Sequence, residues 1–300
     1  MRMNFRFPLM GSGRAEAARE PAGQTMQARP SDGQLPPRPQ ALARIVPFTP
    51  AGKLAPLFHL HIPRCGGASL IRFLGQVYGP DAVVTGAQDQ AGCILAGRRD
   101  PVRSDCISGS IPLMRWDLLR DNAAYARVTV LRDPWARLVS HINRLIALGA
   151  EAGPDGSLTQ LLAVELAGAD FTTRTGLEKL RRRLPSGEGS LDNLQTRMLL
   201  TGTMSAMVKP LLARDVDRAA QELERFAVIG FCEDQLATQR AILTHTGSTV
   251  RPMPEFEGAG KGGLLSPRNE LAREVLAPWI AFDQDLYRRA RALASARQAV

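Results

Sequence analysis

Residues 57–74 combine a short apolar run, a glycine-containing loop and the start of a helix, an arrangement that suits anion binding. The loop carries the cation Arg64, the glycines Gly66 and Gly67, and the hydroxyl of Ser69. Glycines let the backbone approach a ligand closely, and the free N–H groups at a helix start point towards negative charge. The segment therefore predicts a phosphate cradle, with an ordinary strand–turn–helix connection as the alternative.

Two better-known phosphate loops are excluded by spacing. A Walker A loop requires Gly-Lys followed by Ser or Thr, and that sequence is absent. A cysteine-phosphatase loop also fails, because one residue too many separates Cys65 from Arg72.

A second strand–loop–helix pattern occupies residues 127–145. Arg132 and Asp133 end its strand, Pro134 takes a favoured first helical position, and Ser140 follows within the helix. An arginine at a strand end and a serine on the next helix suit a second phosphate. The alternative is a local Arg132–Asp133 ion pair, with Ser140 as an ordinary helix residue.

Together these segments resemble a known family. HIPRCGGASL is similar to the 5′-phosphosulfate loop, and VLRDPWARLVSHINRL to the 3′-phosphate-binding strand–helix, of sulfotransferases that use 3′-phosphoadenosine 5′-phosphosulfate (PAPS). The closest group contains heparan sulfate 2-O-sulfotransferase and its bacterial relatives. LDNLQTRMLLTG, AVIGFCEDQLATQRAIL and AFDQDLYRRA extend the resemblance, which covers residues 57–290.

The resemblance implies a P-loop-like three-layer α/β fold with PAPS as co-substrate and no metal. It implies transfer of a sulfuryl group to a hydroxyl or amine of an acceptor, such as a glycan. Arg132 and Ser140 are then expected to hold the 3′-phosphate, and Arg197 to add a further cofactor contact. The 5′-phosphosulfate is expected to lie on the loop residues Arg64, Cys65, Gly66, Gly67, Ala68 and Ser69.

Several positions depart from the family pattern. The family loop usually reads PKTGGTS, whereas this chain has PRCGGAS, so Arg64 replaces a lysine while Cys65 and Ala68 replace hydroxyl residues. At the position of Ser110, members of the family commonly carry a histidine, and the resemblance implies that this histidine is their catalytic base. We expect Arg64 and Ser110 in the catalytic group, with His61 as the replacement base. Other candidate bases are His59, His141, Asp105 and Glu233.

These departures leave two other functions open. A degenerate relative would bind PAPS or adenosine 3′,5′-bisphosphate without efficient transfer. A nucleotide-dependent phosphotransferase could use the same cradle, although the chain lacks a Gly-Lys pair followed by Ser or Thr and an obvious magnesium-binding pair.

Composition agrees with an anionic ligand. The chain has a net charge of +9, and all but four of its 38 basic residues are arginines. No dense basic run is interleaved with aromatic residues, so we expect no nucleic-acid partner.

No apolar stretch is long enough to span a membrane, which predicts a cytoplasmic protein and leaves a peripheral membrane contact open. The four cysteines show no metal-site spacing, and we expect reduced thiols.

The pattern along the chain predicts two parts. Residues 1–50 contain eight prolines and little periodicity, which indicates a disordered or loosely attached arm. Residues 54–297 alternate short apolar strands with helices, which predicts an α/β domain with a mainly parallel sheet and a helix-rich carboxyl-terminal half. Within it we expect an acceptor-binding region at 151–189 and one continuous helical stretch over 270–297. Lys261 lies in the glycine-rich segment EGAGKGG, which fits a solvated loop better than the alternative, a lid over the nucleotide.

Overall fold

The computed structural model of the protein describes residues 53–89, 91, 104–119, 122–151, 158–184, 190–200, 209–253 and 263–298. The predicted arm, residues 1–50, lies outside the described residues, as does Lys261 of the glycine-rich segment. The predicted acceptor region is described in part.

The centre of the fold is a five-stranded sheet in which every pair of neighbouring strands is parallel, in the order β2-β3-β1-β4-β5. Its apolar, β-branched segments are buried on both faces, as parallel strands require. This arrangement confirms the predicted α/β class. The strands are β1 (Leu57–Leu60), β2 (Val83–Val84), β3 (Cys106–Gly109), β4 (Ala126–Leu131) and β5 (Val228–Phe231).

Helices cover the sheet and build a second core beside it. Their bounds are α1 (Gly67–Tyr78), α2 (Leu113–Trp116), α3 (Pro134–Glu151), α4 (Leu158–Ala167), α5 (Arg174–Arg183), α6 (Leu194–Leu199), α7 (Ala213–Leu223), α8 (Gln235–Thr246), α9 (Glu270–Val275) and α10 (Ala281–Gln298).

Alternating residues of the strands separate the two faces of the sheet. Phe58 and Leu60 face a core shared with α2, α6, α7 and α10, where the Phe58 and Trp116 rings stack with centroids 3.7 Å apart. Leu57 faces the opposite core, shared with α1 and α8. The result is three layers. A separate apolar cluster joins α3, α4, α5 and α9.

The predicted continuous helix over 270–297 is wrong. Helix α9 ends at Val275, a 3₁₀ turn spans Ala277–Trp279, and α10 begins at Ala281. Pro278 accounts for the break, because proline lacks a backbone N–H and disfavours helical geometry in the residue before it. Strand β2 is absent from the predicted elements, because a strand of only two residues leaves no periodic pattern.

Candidate functional site

The two predicted anion-binding segments meet at one edge of the sheet. Strands β1 and β4 are neighbours, and the chain leaves their carboxyl ends in opposite directions: from β1 towards β2, and from β4 towards β5. In open α/β sheets such a change of direction leaves a crevice between the two connections, and ligands bind there. The crevice is bounded by the anion loop, residues 61–66, and by the turn at 132–133.

The anion loop has backbone geometry that depends on glycine. Gly66 has φ 81° and caps α1, and no side chain caps the free N–H groups of the first turn. A Cβ on Gly67 would overlap the imidazole ring of His61, which lies against this turn. Arg64 also adopts a positive φ, 71°, which is uncommon for a residue with a side chain. The first-turn amides of α1 are therefore available to an anion.

Arg64, Arg132 and Ser140 converge beside this loop. The Arg64 guanidinium donates through Nε to Ser140 Oγ at 2.9 Å, and Arg132 donates through Nη1 to the Arg64 carbonyl at 3.0 Å. Partial burial lowers the pKa of Arg64, and the neighbouring charges of Arg132 and Arg144 lower it further. Three cations thus share one region, where an anion would relieve their repulsion.

Gln195 fixes the turn after β4. Its side-chain Oε1 accepts from the Arg132 N–H at 3.0 Å, and its Nε2 donates to the Arg132 carbonyl at 2.9 Å. The Cys65 thiol also donates to Gln195 Oε1, at 3.6 Å. The Cys65 side chain therefore points into the protein, where burial raises the pKa of its thiol. Cys65 can offer a ligand only its backbone, whereas Ala68 is exposed and Ser69 half-buried at the start of α1.

Arg197, predicted as a cofactor contact, lies elsewhere. It has no exposed surface, it pairs with the Asp192 carboxylate, and it donates to the carbonyls of Asp192 and Lys209. Its guanidinium holds two stretches of chain together. Gln195, two residues earlier in the same DNLQTR segment, is the residue that reaches the crevice.

The candidate bases differ in what their atoms contact. Ser110 Oγ donates to the His61 carbonyl at 2.9 Å, so this hydroxyl fixes the His61 backbone. The His61 ring is half-buried, and burial lowers its pKa, which favours the neutral form that can accept a proton. His59 is fully buried with Nδ1 2.8 Å from Ser108 Oγ, and its pKa falls to about 3, which marks a core histidine. Burial also lowers the pKa of His141 to about 3.

Two further carboxylates support the site, and neither was assigned this role from the sequence. Asp283 is fully buried and accepts hydrogen bonds from the backbone N–H groups of Gln195 and Thr196, which orients the start of α6. Glu233 accepts from the Asp133 N–H at 2.8 Å and from the Tyr287 hydroxyl at 2.9 Å, which ties the β4 turn to α10. From the sequence, Glu233 was a candidate only as a base.

Arg137 was missed as well. It lies one turn before Ser140 on α3 and has no exposed surface. The signal was present in the sequence, because positions 137, 140, 141 and 144 fall on one helical face and all carry polar residues.

No protein-family model matches the sequence, and a search of curated proteins finds no significant match. Among the described helices, none is long and apolar enough to cross a membrane. The described part of the chain also contains no group of three or more His, Cys, Asp or Glu residues that could hold a metal ion.

Proposed function

We propose that this protein is a sulfotransferase that uses PAPS. The observation that carries the proposal is the meeting of Arg64, Arg132 and Ser140 beside the uncapped start of α1. This donor set fits a nucleotide with two separate anionic groups, since guanidinium groups and helix-start amides are both strong phosphate ligands. The sequence resemblance to PAPS-dependent enzymes indicates that this nucleotide is PAPS.

Each residue has a separate task in this proposal. The amides of residues 67–69 and Arg64 hold the 5′-phosphosulfate end, and Arg132 with Ser140 holds the 3′-phosphate. When bound, PAPS supplies a sulfuryl group on a phosphate leaving group. Arg64 neutralises the charge that develops there, and such preorganised donors contribute strongly to catalysis. A guanidinium stays protonated near neutral pH, so Arg64 acts through its charge and gives up no proton.

His61 is the proposed base. Its neutral ring lies against the first turn of α1, and its backbone is held by the Ser110 hydroxyl. It would accept the proton of the acceptor hydroxyl or amine. Ser110, which replaces the histidine of related sequences, serves as a positioning residue for His61.

The acceptor proposed is a glycan or another hydroxylated molecule. The net charge of +9 favours an anionic polysaccharide electrostatically. A cytoplasmic location is part of the proposal, since the cysteines among the described residues form no disulfide and disulfides are rare in that compartment.

The test is transfer of label from ³⁵S-labelled PAPS to a panel of polysaccharides that carry free hydroxyls or amines. We expect labelled product with the wild type, and loss of transfer in Arg132→Ala and His61→Ala. The matched control is Arg218→Ala, because Arg218 is an exposed arginine on α7. Transfer that survives Arg132→Ala would contradict the assignment of the site.

A second candidate is nucleotide binding without transfer. It is favoured by the Ser110 hydroxyl, which is held by the His61 carbonyl and lacks the basicity of the histidine it replaces. Tight binding of adenosine 3′,5′-bisphosphate with no transfer to any acceptor would select this function over the first.

A further inference from the structure

Helix α3 has a polar stripe that is partly buried. Arg137, Ser140, His141 and Arg144 fall within about 100° of arc, given 3.6 residues per turn. The opposite side of the helix is apolar and packs into the second core through Trp135, Leu138, Val139, Ile142 and Leu145. The polar stripe carries Ser140, which receives the hydrogen bond from Arg64. The stripe therefore runs along the side of α3 that supports the anion loop.

Arg137 is the buried member of this stripe and is only partly satisfied. It is 0% exposed, and its Nη1 donates to the Ser190 carbonyl at 3.2 Å. Its Nε and Nη2 have no hydrogen-bond partner among the described residues. The Asp283 carboxylate influences it electrostatically, but both Asp283 oxygens accept hydrogen bonds from α6. Arg137 is thus a buried cation with two free donors.

The surroundings of Arg137 belong to the anion site. It interacts electrostatically with Cys65 in the loop and with Arg132 at the end of β4. His141, one turn later, also has a buried ring nitrogen, Nε2, without a partner in the described part of the chain. Its charged neighbours are Arg137 on the same helix and Arg64 on the loop.

The Asp283 carboxylate offsets part of the buried charge of Arg137, but a buried donor without an acceptor is unfavourable, and Nε and Nη2 have none among the described residues. This charge therefore stabilises a bound anion more than it stabilises the unliganded protein.

We propose that Arg137 is a positioning residue for the anion site and that its buried charge stabilises the bound polyanion. This inference rests on the proposed function for the identity of the nucleotide. The ligand class is a molecule with two phosphate or sulfate groups, and Arg137 acts on it through the Cys65 loop and Arg132.

The experiment compares Arg137→Met and Arg137→Lys with the wild type. Thermal unfolding is followed without ligand, and binding is measured with adenosine 3′,5′-bisphosphate, AMP and inorganic pyrophosphate. We expect Arg137→Met to unfold at a lower temperature than the wild type, because the buried Asp283 loses its cationic neighbour, and to bind the bisphosphate and pyrophosphate at least tenfold more weakly. Arg137→Lys keeps the charge and should retain intermediate affinity for both.

The matched control is Arg127→Met, because Arg127 is also a buried arginine but pairs with Asp117 and Glu222. It should lower the unfolding temperature and leave anion affinity within twofold. The inference is overturned if Arg137→Met leaves pyrophosphate affinity unchanged or, where that variant does not fold, if Arg137→Lys binds pyrophosphate as tightly as the wild type. Failure of the proposed function has a different signature: the wild type would bind pyrophosphate yet show no preference for the bisphosphate over AMP.

Discussion

The two ends of strand β4 hold arginines in opposite electrostatic settings. At the amino end, Arg127 lies 2.8 Å from the Asp117 carboxylate and 3.6 Å from that of Glu222. Beyond the carboxyl end, Arg132 and Arg137 form no ion pair within the described residues, and Arg64 from the neighbouring loop joins them. Arg127, Arg132 and Arg137 come from one continuous segment of chain.

This difference distinguishes an arginine that stabilises the fold from the arginines that we propose bind an anion. A buried arginine that only supports the fold is expected to be paired, because an unpaired buried ion is unfavourable. The paired amino end fits that expectation. The unpaired carboxyl end retains a repulsive group of cations, and an anion from outside the chain would balance it.

Arg127→Met should destabilise the protein by about 3 kcal/mol, because it leaves the half-buried Asp117 carboxylate without its cation, whereas Glu222 keeps Arg225. Chemical denaturation measures this change. The exposed Arg218→Ala should change stability by less than about 0.5 kcal/mol. If Arg127→Met lowers the free energy of unfolding by less than about 1 kcal/mol, the ion pairs of Arg127 do not stabilise the fold.

Gln195→Leu should cost about 2–3 kcal/mol, because the backbone N–H and carbonyl of Arg132 both lose their side-chain partner. Binding of adenosine 3′,5′-bisphosphate should weaken as well, since the β4 turn is no longer fixed. Urea unfolding and calorimetry measure the two effects. The control is Gln221→Leu on the exposed side of α7, which should alter neither. Unchanged bisphosphate binding in Gln195→Leu would show that this glutamine does not support the anion site.

Acidification should destabilise the fold through His59. Burial lowers the pKa of His59 to about 3 from the ordinary histidine value of 6.5, so the unfolded chain binds more protons than the folded chain between these limits. The contribution to stability is present above pH 6.5 and is lost as pH falls towards 3. Between pH 7 and pH 5 the loss is about 2 kcal/mol.

Urea unfolding at several pH values checks this effect. His59→Asn should remove that part of the pH dependence, whereas the exposed His245→Asn should leave it unchanged. An identical pH dependence in His59→Asn and the wild type would contradict the assignment of His59 as a neutral core residue.

Ser140→Ala should have the smallest effect, a loss of affinity for the bisphosphate of about fivefold, or about 1 kcal/mol. The hydroxyl is one ligand among several and also orients the Arg64 guanidinium. Calorimetric titration measures the change, with the exposed Ser266→Ala as control. Equal affinity in Ser140→Ala and the wild type would remove this serine from the site.

Much of the fold follows from the sequence pattern. The apolar, β-branched segment before Arg132 predicts β4, and the periodicity from Pro134 onwards predicts α3. Both are confirmed, because short buried strands and amphipathic helices leave strong local signals. The two-residue β2 and the break at Pro278 leave weaker local signals, and neither was predicted.

The site is less predictable because it depends on side-chain direction. The order of strands and helices along the chain is enough to predict that one sheet edge carries Arg64, Arg132 and Ser140. The direct contact of Arg64 with Ser140 depends on a positive φ at Arg64, which an arginine at that position does not predict. Nor does sequence distinguish Arg197, whose donors are taken up by its own surroundings, from Arg137, which is equally buried but only partly paired.

The most direct test of the central claim is calorimetric titration of the wild type and Arg132→Ala with adenosine 3′,5′-bisphosphate and with AMP. If the unpaired arginines form a site for two phosphates, the wild type binds the bisphosphate at least tenfold more tightly than AMP. Arg132→Ala should lose that preference. Equal affinity of the wild type for both nucleotides, or no binding of either, would contradict the account.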